Sequence, residues 1–114
     1  RGKIKMPVAK RAILDAHAVA KEIDDSQYGA LCHAIGHAGA TVHVETHAIG
    51  LPFYELTAMV QEYGKDKYRN PVIEKIDYYT GRLLYWQGNV DIDKLNWAAF
   101  LLDDSRTNKV GKYV

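Results

Sequence analysis

Apolar residues recur at positions 9, 12, 13, 16, 19, 20 and 23, the i, i+3, i+4 rhythm of an amphipathic helix, so the spacing predicts a first helix over residues 8–23. Pro7 suits its first turn, where a missing N–H is no loss. Lys10, Arg11, Asp15, Lys21 and Glu22 cover the solvated side, and His17 lies one residue from the core stripe, the place of a half-buried, hydrogen-bonded histidine. Asp24-Asp25-Ser26 reads as a turn in which Asp25 or Ser26 caps the next helix. There the amphipathic pattern stops. Residues 27–50, QYGALCHAIGHAGATVHVETHAIG, hold no lysine or arginine and a single acid, Glu45. Read as one helix over 27–49, this stretch is about 35 Å long. A helix that is apolar or small nearly all round belongs in the middle of a fold, and the pattern predicts a central helix wrapped by the others. Ala30, Ala34, Gly36, Ala38, Gly39 and Ala40 would let its neighbours approach closely.

Gly50-Leu51-Pro52 combines a helix-ending glycine with a proline just inside the following start. The next helix is predicted over 53–63, burying Phe53, Leu56, Met59, Val60 and Tyr63 and closed by Gly64. Residues 65–69 read as a polar loop, and Asn70-Pro71 as a cap and first-turn proline. A helix over 72–87 then sets Val72, Ile73, Ile76, Tyr79, Leu83, Leu84 and Trp86 or Gln87 in its contact zone, despite an interior glycine at Gly81. Residues 89–92 alternate too briefly for a strand and read as a loop. Asp93 would cap a last helix over 94–102, followed by a loosely held polar tail, 103–114. The expectation is an all-α single domain over 1–114, a compact bundle of about five helices around a small-residue, histidine-rich helix.

Composition narrows the function classes. With 47% apolar and 25% charged residues the chain is of ordinary globular type. Fifteen basic against fourteen acidic residues leave a net +1, with no basic stripe for nucleic acid and no charge bias toward a membrane surface. There is no apolar run of about 18 residues and no signal-peptide pattern. The one cysteine, Cys32, excludes an internal disulfide, fits a reducing cytoplasm, and sits among apolar neighbours that favour an inert thiol. The chain opens at Arg1 and not at a methionine, which reads as a processed or fragmentary end. Seven of the eight tyrosines and both tryptophans lie at or after Tyr54. Of the adjacent pairs Tyr78-Tyr79 and Tyr85-Trp86, one member each must lean away from the deepest core. Tyr and Trp left exposed are the residue types that anchor protein interfaces.

The candidate chemistry is carried by histidine. On one straight helix His33, His37, His43 and His47 fall within an arc of roughly 120° and form two i,i+4 pairs, His33/His37 and His43/His47, each able to close on one ion. Zinc needs four partners, or three and a water; the third would come from His17 or from an acid on another helix. Glu45 lies between His43 and His47 as HVETH, one place from the position that HExxH requires. Histidines bonded to backbone or hydroxyl groups are the simpler reading, and no catalytic residue or cofactor is expected. Thr41 and Thr46 lie near histidines, yet a helical threonine ordinarily bonds the carbonyl one turn back rather than acting as a nucleophile.

The run from Gly36 to Ala48, with His37, Thr41, His43, Thr46 and His47 in the pattern A-T-x-H-x-x-T-H-A, followed by aromatics at Phe53-Tyr54, resembles the core signature of a bacterial family of proteins described as putative immunity proteins, the immunity-five-like helical family. Arg1-Gly2-Lys3-Ile4 and Ala16-His17-Ala18 resemble that family's lead into its first alanine-rich helix, and the likeness spans about residues 1–60. Gly39 replaces the more usual alanine, and a Trp- and Cys-bearing segment that typical members place before the Arg-Gly element is expected to be absent here. The resemblance implies an α-helical domain that neutralises a co-encoded toxin by protein–protein contact without catalysis. Two other readings stand beside it. One is a metal-binding module or metal-dependent enzyme using the histidines. The other is a structural domain that self-associates through an apolar groove left by the absent segment.

Overall fold

Pro7 opens the first helix, α1, which spans Met6–Glu22. The computed structural model describes residues 4–90, and within them the chain is four α-helices and one 3-10 segment, with no strand. Ala9, Ile13, Ala16, His17, Ala20 and Ile23 are half-buried, while Val8 and Leu14 face solvent, as the spacing requires. Asp25 caps α2, Ser26–Ala40, its carboxylate accepting from the N–H groups of Gln27 and Tyr28 at 2.9 and 3.2 Å. That bond satisfies donors that the first helical turn leaves unpaired.

The predicted 23-residue central helix is corrected here. α2 ends at Ala40; Thr41 to His43 turn, Val44 is extended at φ −146° and ψ 113°, and Glu45–Ile49 is a 3-10 segment. Thr41, Val42 and Val44 are β-branched, a run that loses rotamer freedom in a helix, and Thr41 Oγ1 donates to the Ala38 carbonyl at 2.7 Å as the helix stops. The central position survives the correction. α2 packs between α1 and α3.

α3 spans Gly50–Lys67 and α4 spans Arg69–Gly88. Gly50 therefore starts a helix and does not end one, with Pro52 in the first turn, where it is tolerated. Gly64 has φ 71° and ψ 173°, a backbone only glycine adopts readily, so it kinks α3, and residues 65–67 continue as helix where a loop is predicted. α4 begins at Arg69 with Tyr68 as its cap, so Asn70 is inside the helix. The predicted final helix over 94–102 and the tail lie outside the described residues.

The side chains that are fully buried are small. Ala30, Ala34, Ala40 and Ala58 are buried, together with Gly29, Gly36 and Gly50. Two predicted faces are rotated outward. On α3, Phe53 is 66% exposed and Val60 and Tyr63 are exposed too, while Leu56, Met59 and the unpredicted Tyr54 are half-buried. On α4, which packs on α3, Val72 and Tyr79 are half-buried, whereas Ile73, Ile76, Leu83, Leu84 and Trp86 are exposed. Residues 80–88 face solvent throughout, so of the predicted contact stripe of α4 only Val72 and Tyr79 are half-buried.

Candidate functional site

The break after Ala40 is what assembles the site. On a continuous helix His37 and His47 would stand about 15 Å apart along the axis. The turn and the 3-10 segment bring the chain back over α2, and the two rings meet with centroids 5.3 Å apart. His17 enters from α1, 5.2 Å from both the His33 and the His37 rings. His43 packs on His47 at 5.9 Å. All five histidines of the chain thus form one contiguous group on three elements. Tyr54, from the first turns of α3, covers it, stacked on His37 at 5.2 Å and 20° and tilted on His33 at 5.1 Å.

The hydrogen bonds pair rings across elements, not along a helix. His17 Nδ1 and His33 Nδ1 are 2.9 Å apart, and His37 Nδ1 and His47 Nδ1 are 3.3 Å apart. These replace the predicted i,i+4 pairs His33/His37 and His43/His47. A neutral imidazole has one N–H and one bare nitrogen, so in each pair one ring donates from Nδ1 and the other accepts there. Burial holds His17 below its ordinary 6.5, helped by the positive charge that His33 and His47 would carry. Burial likewise depresses His37, reinforced by His17, His47 and His33.

Glycine makes room for the rings. A Cβ at Gly36 would stand 2.5 Å from Nε2 of His17, and one at Gly50 would lie 2.7 Å from Cβ of His37 and closer still to its ring. Gly39 gives space to Ile13, whose Cγ1 would be 3.1 Å from an added Cβ. A cleft of about 340 Å³ opens beside the group, lined by Lys10, Ile13, Leu14, His17, His43 and His47.

Of the signature residues, His37 and His47 are paired, His43 joins their edge, Thr41 ends α2, and Thr46 is half-buried in the 3-10 segment. Among the described residues no group of three or more His, Cys, Asp or Glu is placed to hold one metal ion. Cys32 is a half-buried free thiol on α2. No described helix is long and apolar enough to cross a membrane.

A second polar cluster, which the sequence pattern does not reveal, ties α4 to α3. Lys75 Nζ lies 2.7 Å from Glu55 Oε1, and the Tyr79 hydroxyl donates to Glu55 Oε2. Burial pushes the Glu55 carboxyl up, but the hydrogen bonds from Lys75 and Tyr79 and the Lys75 charge outweigh it and leave the group below its ordinary 4.5. Burial and the Glu55 carboxylate push Tyr79 above its ordinary 10.0. Spacing places Lys75 and Tyr79 on one face of α4, an i,i+4 pair; nothing in the pattern matches that face to Glu55.

Around the second half of α4, on more than one side of the helix, apolar and aromatic side chains face solvent: Tyr78 at 57% exposure, Leu83 at 69%, Leu84 at 61%, Tyr85 at 48% and Trp86 at 45%. The Arg82 guanidinium lies 4.9 Å from the Tyr85 ring centroid and 5.7 Å from that of Trp86.

A family model described as Imm-5 like putative immunity protein matches residues 1–82, a span that contains the whole histidine group and the Glu55–Lys75–Tyr79 joint. No curated protein and no solved structure matches the chain.

Proposed function

The chain belongs to the Imm-5 like putative immunity protein family, and from that premise we propose that it is a non-enzymatic binding protein that neutralises a bacterial toxin by protein–protein contact, using the exposed second half of α4. The observation that carries this reading is the exposure of Tyr78, Leu83, Leu84, Tyr85 and Trp86 around a helix with no buried residue of its own. Aromatic side chains and arginine dominate the energy of protein interfaces, and Arg82 laid against Tyr85 and Trp86 supplies both. A polar surface would keep α4 soluble at less risk; contiguous exposed apolar area marks an interaction site.

The test is rescue of cells that express the toxin-like gene adjacent to the one encoding this chain. Rescue is expected, together with a stable complex of the two purified proteins. A Tyr85→Ala, Trp86→Ala double variant should fold normally and weaken that complex at least tenfold, since removal of an interface anchor commonly costs about 2 kcal/mol or more. No rescue and no complex would sink the reading. The same face supports a second use, self-association of two copies through α4, which predicts a concentration-dependent dimer by light scattering that the double variant abolishes.

A further inference from the structure

α4 carries one seven-residue pattern twice. Residues 75–81 read KIDYYTG and residues 82–88 read RLLYWQG, so each opens on a cation and an aliphatic residue, sets two aromatics side by side, and closes on glycine. Seven residues are close to two helical turns, about 700° at roughly 100° per residue. Each residue of the second copy therefore lies within about 20° of its counterpart, roughly 10 Å further along the axis.

The two copies are also built alike. Lys75 Nζ lies 5.2 Å from the Tyr78 ring centroid and 5.7 Å from that of Tyr79; the Arg82 guanidinium lies 4.9 and 5.7 Å from those of Tyr85 and Trp86. The adjacent rings meet edge to face in both, 5.8 Å apart in Tyr78-Tyr79 and 5.4 Å in Tyr85-Trp86. They differ in what they hold. In the first copy the cation and the second aromatic close on one carboxylate from α3: Lys75 Nζ is 2.7 Å from Glu55 Oε1, and the Tyr79 hydroxyl donates to Oε2. In the second, Arg82 and Trp86 are exposed, and Arg82 is in no ion pair with another described residue.

We propose that residues 82–88 are a second carboxylate receptor, which takes an aspartate or glutamate side chain from the surface of the bound toxin as residues 75–81 take Glu55. This rests on the binding reading given above and names the group that α4 recognises.

Charge and donor chemistry both favour that occupant. The first copy is neutral by itself, Lys75 against Asp77, but Leu84 stands in the place of Asp77, so the second copy presents a cation with no acid of its own. A guanidinium offers paired N–H donors that match the two oxygens of a carboxylate, and it is more weakly hydrated than an ammonium, so it enters an interface at lower cost. Rings against its face leave its in-plane N–H groups for an acceptor. The Trp86 indole N–H can only donate, the role that the Tyr79 hydroxyl plays toward Glu55. Cation and ring donor are thus kept in the second copy, at the same spacing of four residues.

The test uses the full chain and the purified product of the adjacent toxin-like gene. In an Arg82→Lys variant, a carbodiimide should join the amine at position 82 to a carboxylate in ion-pair contact, with the Lys75–Glu55 pair of the same molecule as internal control. Mass spectrometry should find an amide between position 82 and an aspartate or glutamate of the toxin. An amide to an acid of this chain, from the same copy or a second one, overturns the proposal. So does the lack of any link at 82 while the link between 75 and 55 forms. Affinity gives a second readout. Arg82→Gln should weaken the complex at least tenfold, and Trp86→Phe, which keeps a ring and loses the N–H, about tenfold. Arg82→Lys combined with Trp86→Tyr writes the first copy's cation and donor into the second and should bind more tightly than Arg82→Gln. Arg82→Gln binding as tightly as wild type overturns this inference and leaves the binding reading standing; no complex with the wild-type chain overturns both.

Discussion

The inner and outer halves of this molecule solve the problem of a small core in opposite ways. Around α2 the buried positions are alanine and glycine, and the space those residues leave is filled by imidazole rings from neighbouring elements. On α4 the large apolar side chains are present but turned to solvent, and one ion-paired tyrosine joint holds the helix to α3. Size and burial are thus inverted. The inner half is specified by shape, since the His17 and His37 rings sit where Gly36 and Gly50 lack a Cβ, whereas the outer half should tolerate change except at Glu55, Lys75 and Tyr79. The lesson is that a glycine has opposite value in the two halves, and the same substitution can be used to show it.

Glycine-to-alanine changes give the largest expected difference. Gly50→Ala would drive a methyl into the base of His37, which cannot swing aside without leaving His47, and overpacking of this kind costs about 1–3 kcal/mol. Gly36→Ala meets the outer edge of His17, a ring tip that can rotate, so its cost should be smaller and should appear as a weakened α1–α2 contact. Gly81→Ala on α4 meets nothing within 4 Å and should stabilise by up to about 1 kcal/mol through helix propensity alone. Urea unfolding of the three variants reads the order directly. Equal effects at Gly50 and Gly81 would break the comparison.

How much of this was legible in the chain depends on the residue. The Asp25 cap and most of the half-buried face of α1 follow from local rules, although Ala12 and Val19 of the predicted stripe are exposed, and Gly64 marks a kink inside α3 where the pattern predicts its end. The central helix is misread because the absence of charge from 27 to 49 outweighs a weaker signal. Thr41-Val42-His43-Val44 is β-branched at three of four positions, which marks the end of α2. That one break converts four histidines on a helix face into a cross-element group. Tyr54 and Gly50 are invisible as site residues for the same reason, because only a chain doubled back after residue 40 brings them to His37. The outward turn of Phe53 and Leu83 is not readable from periodicity, which gives a stripe but not whether anything covers it.

Acid and alkali should separate the halves next. The Glu55 carboxyl lies below 4.5, so its contribution is complete above that value and is lost as pH falls through the folded-state value. At the other extreme the raised Tyr79 phenol contributes fully below 10.0, and that contribution is lost as pH climbs beyond it. Tyr79→Phe removes a hydrogen bond to a charged acceptor, expected to cost about 1.5–3 kcal/mol at neutral pH if the joint stays dry and about 1 if water fills it. In that variant the alkaline loss above 10.0 should disappear while the loss of stability below 6.5 from His17 persists. Circular dichroism across the pH range follows both. An alkaline transition unchanged in Tyr79→Phe would show that the joint does not set it.

The smallest effect on stability is the most informative about the outer half. Leu83 and Leu84 are 69% and 61% exposed, and substitutions at positions without contacts usually move stability by no more than about 0.5 kcal/mol. Leu83→Ser and Leu84→Ser should therefore leave the urea midpoint where it is and improve solubility, and affinity for a protein partner or for a second copy should fall. A comparable loss of a leucine side chain from a packed core costs about 2–5 kcal/mol. If either serine variant unfolds the chain to that extent, something covers the outer face of α4 within the molecule itself. The two halves would then be built alike, and the case for α4 as the binding surface would go with the contrast.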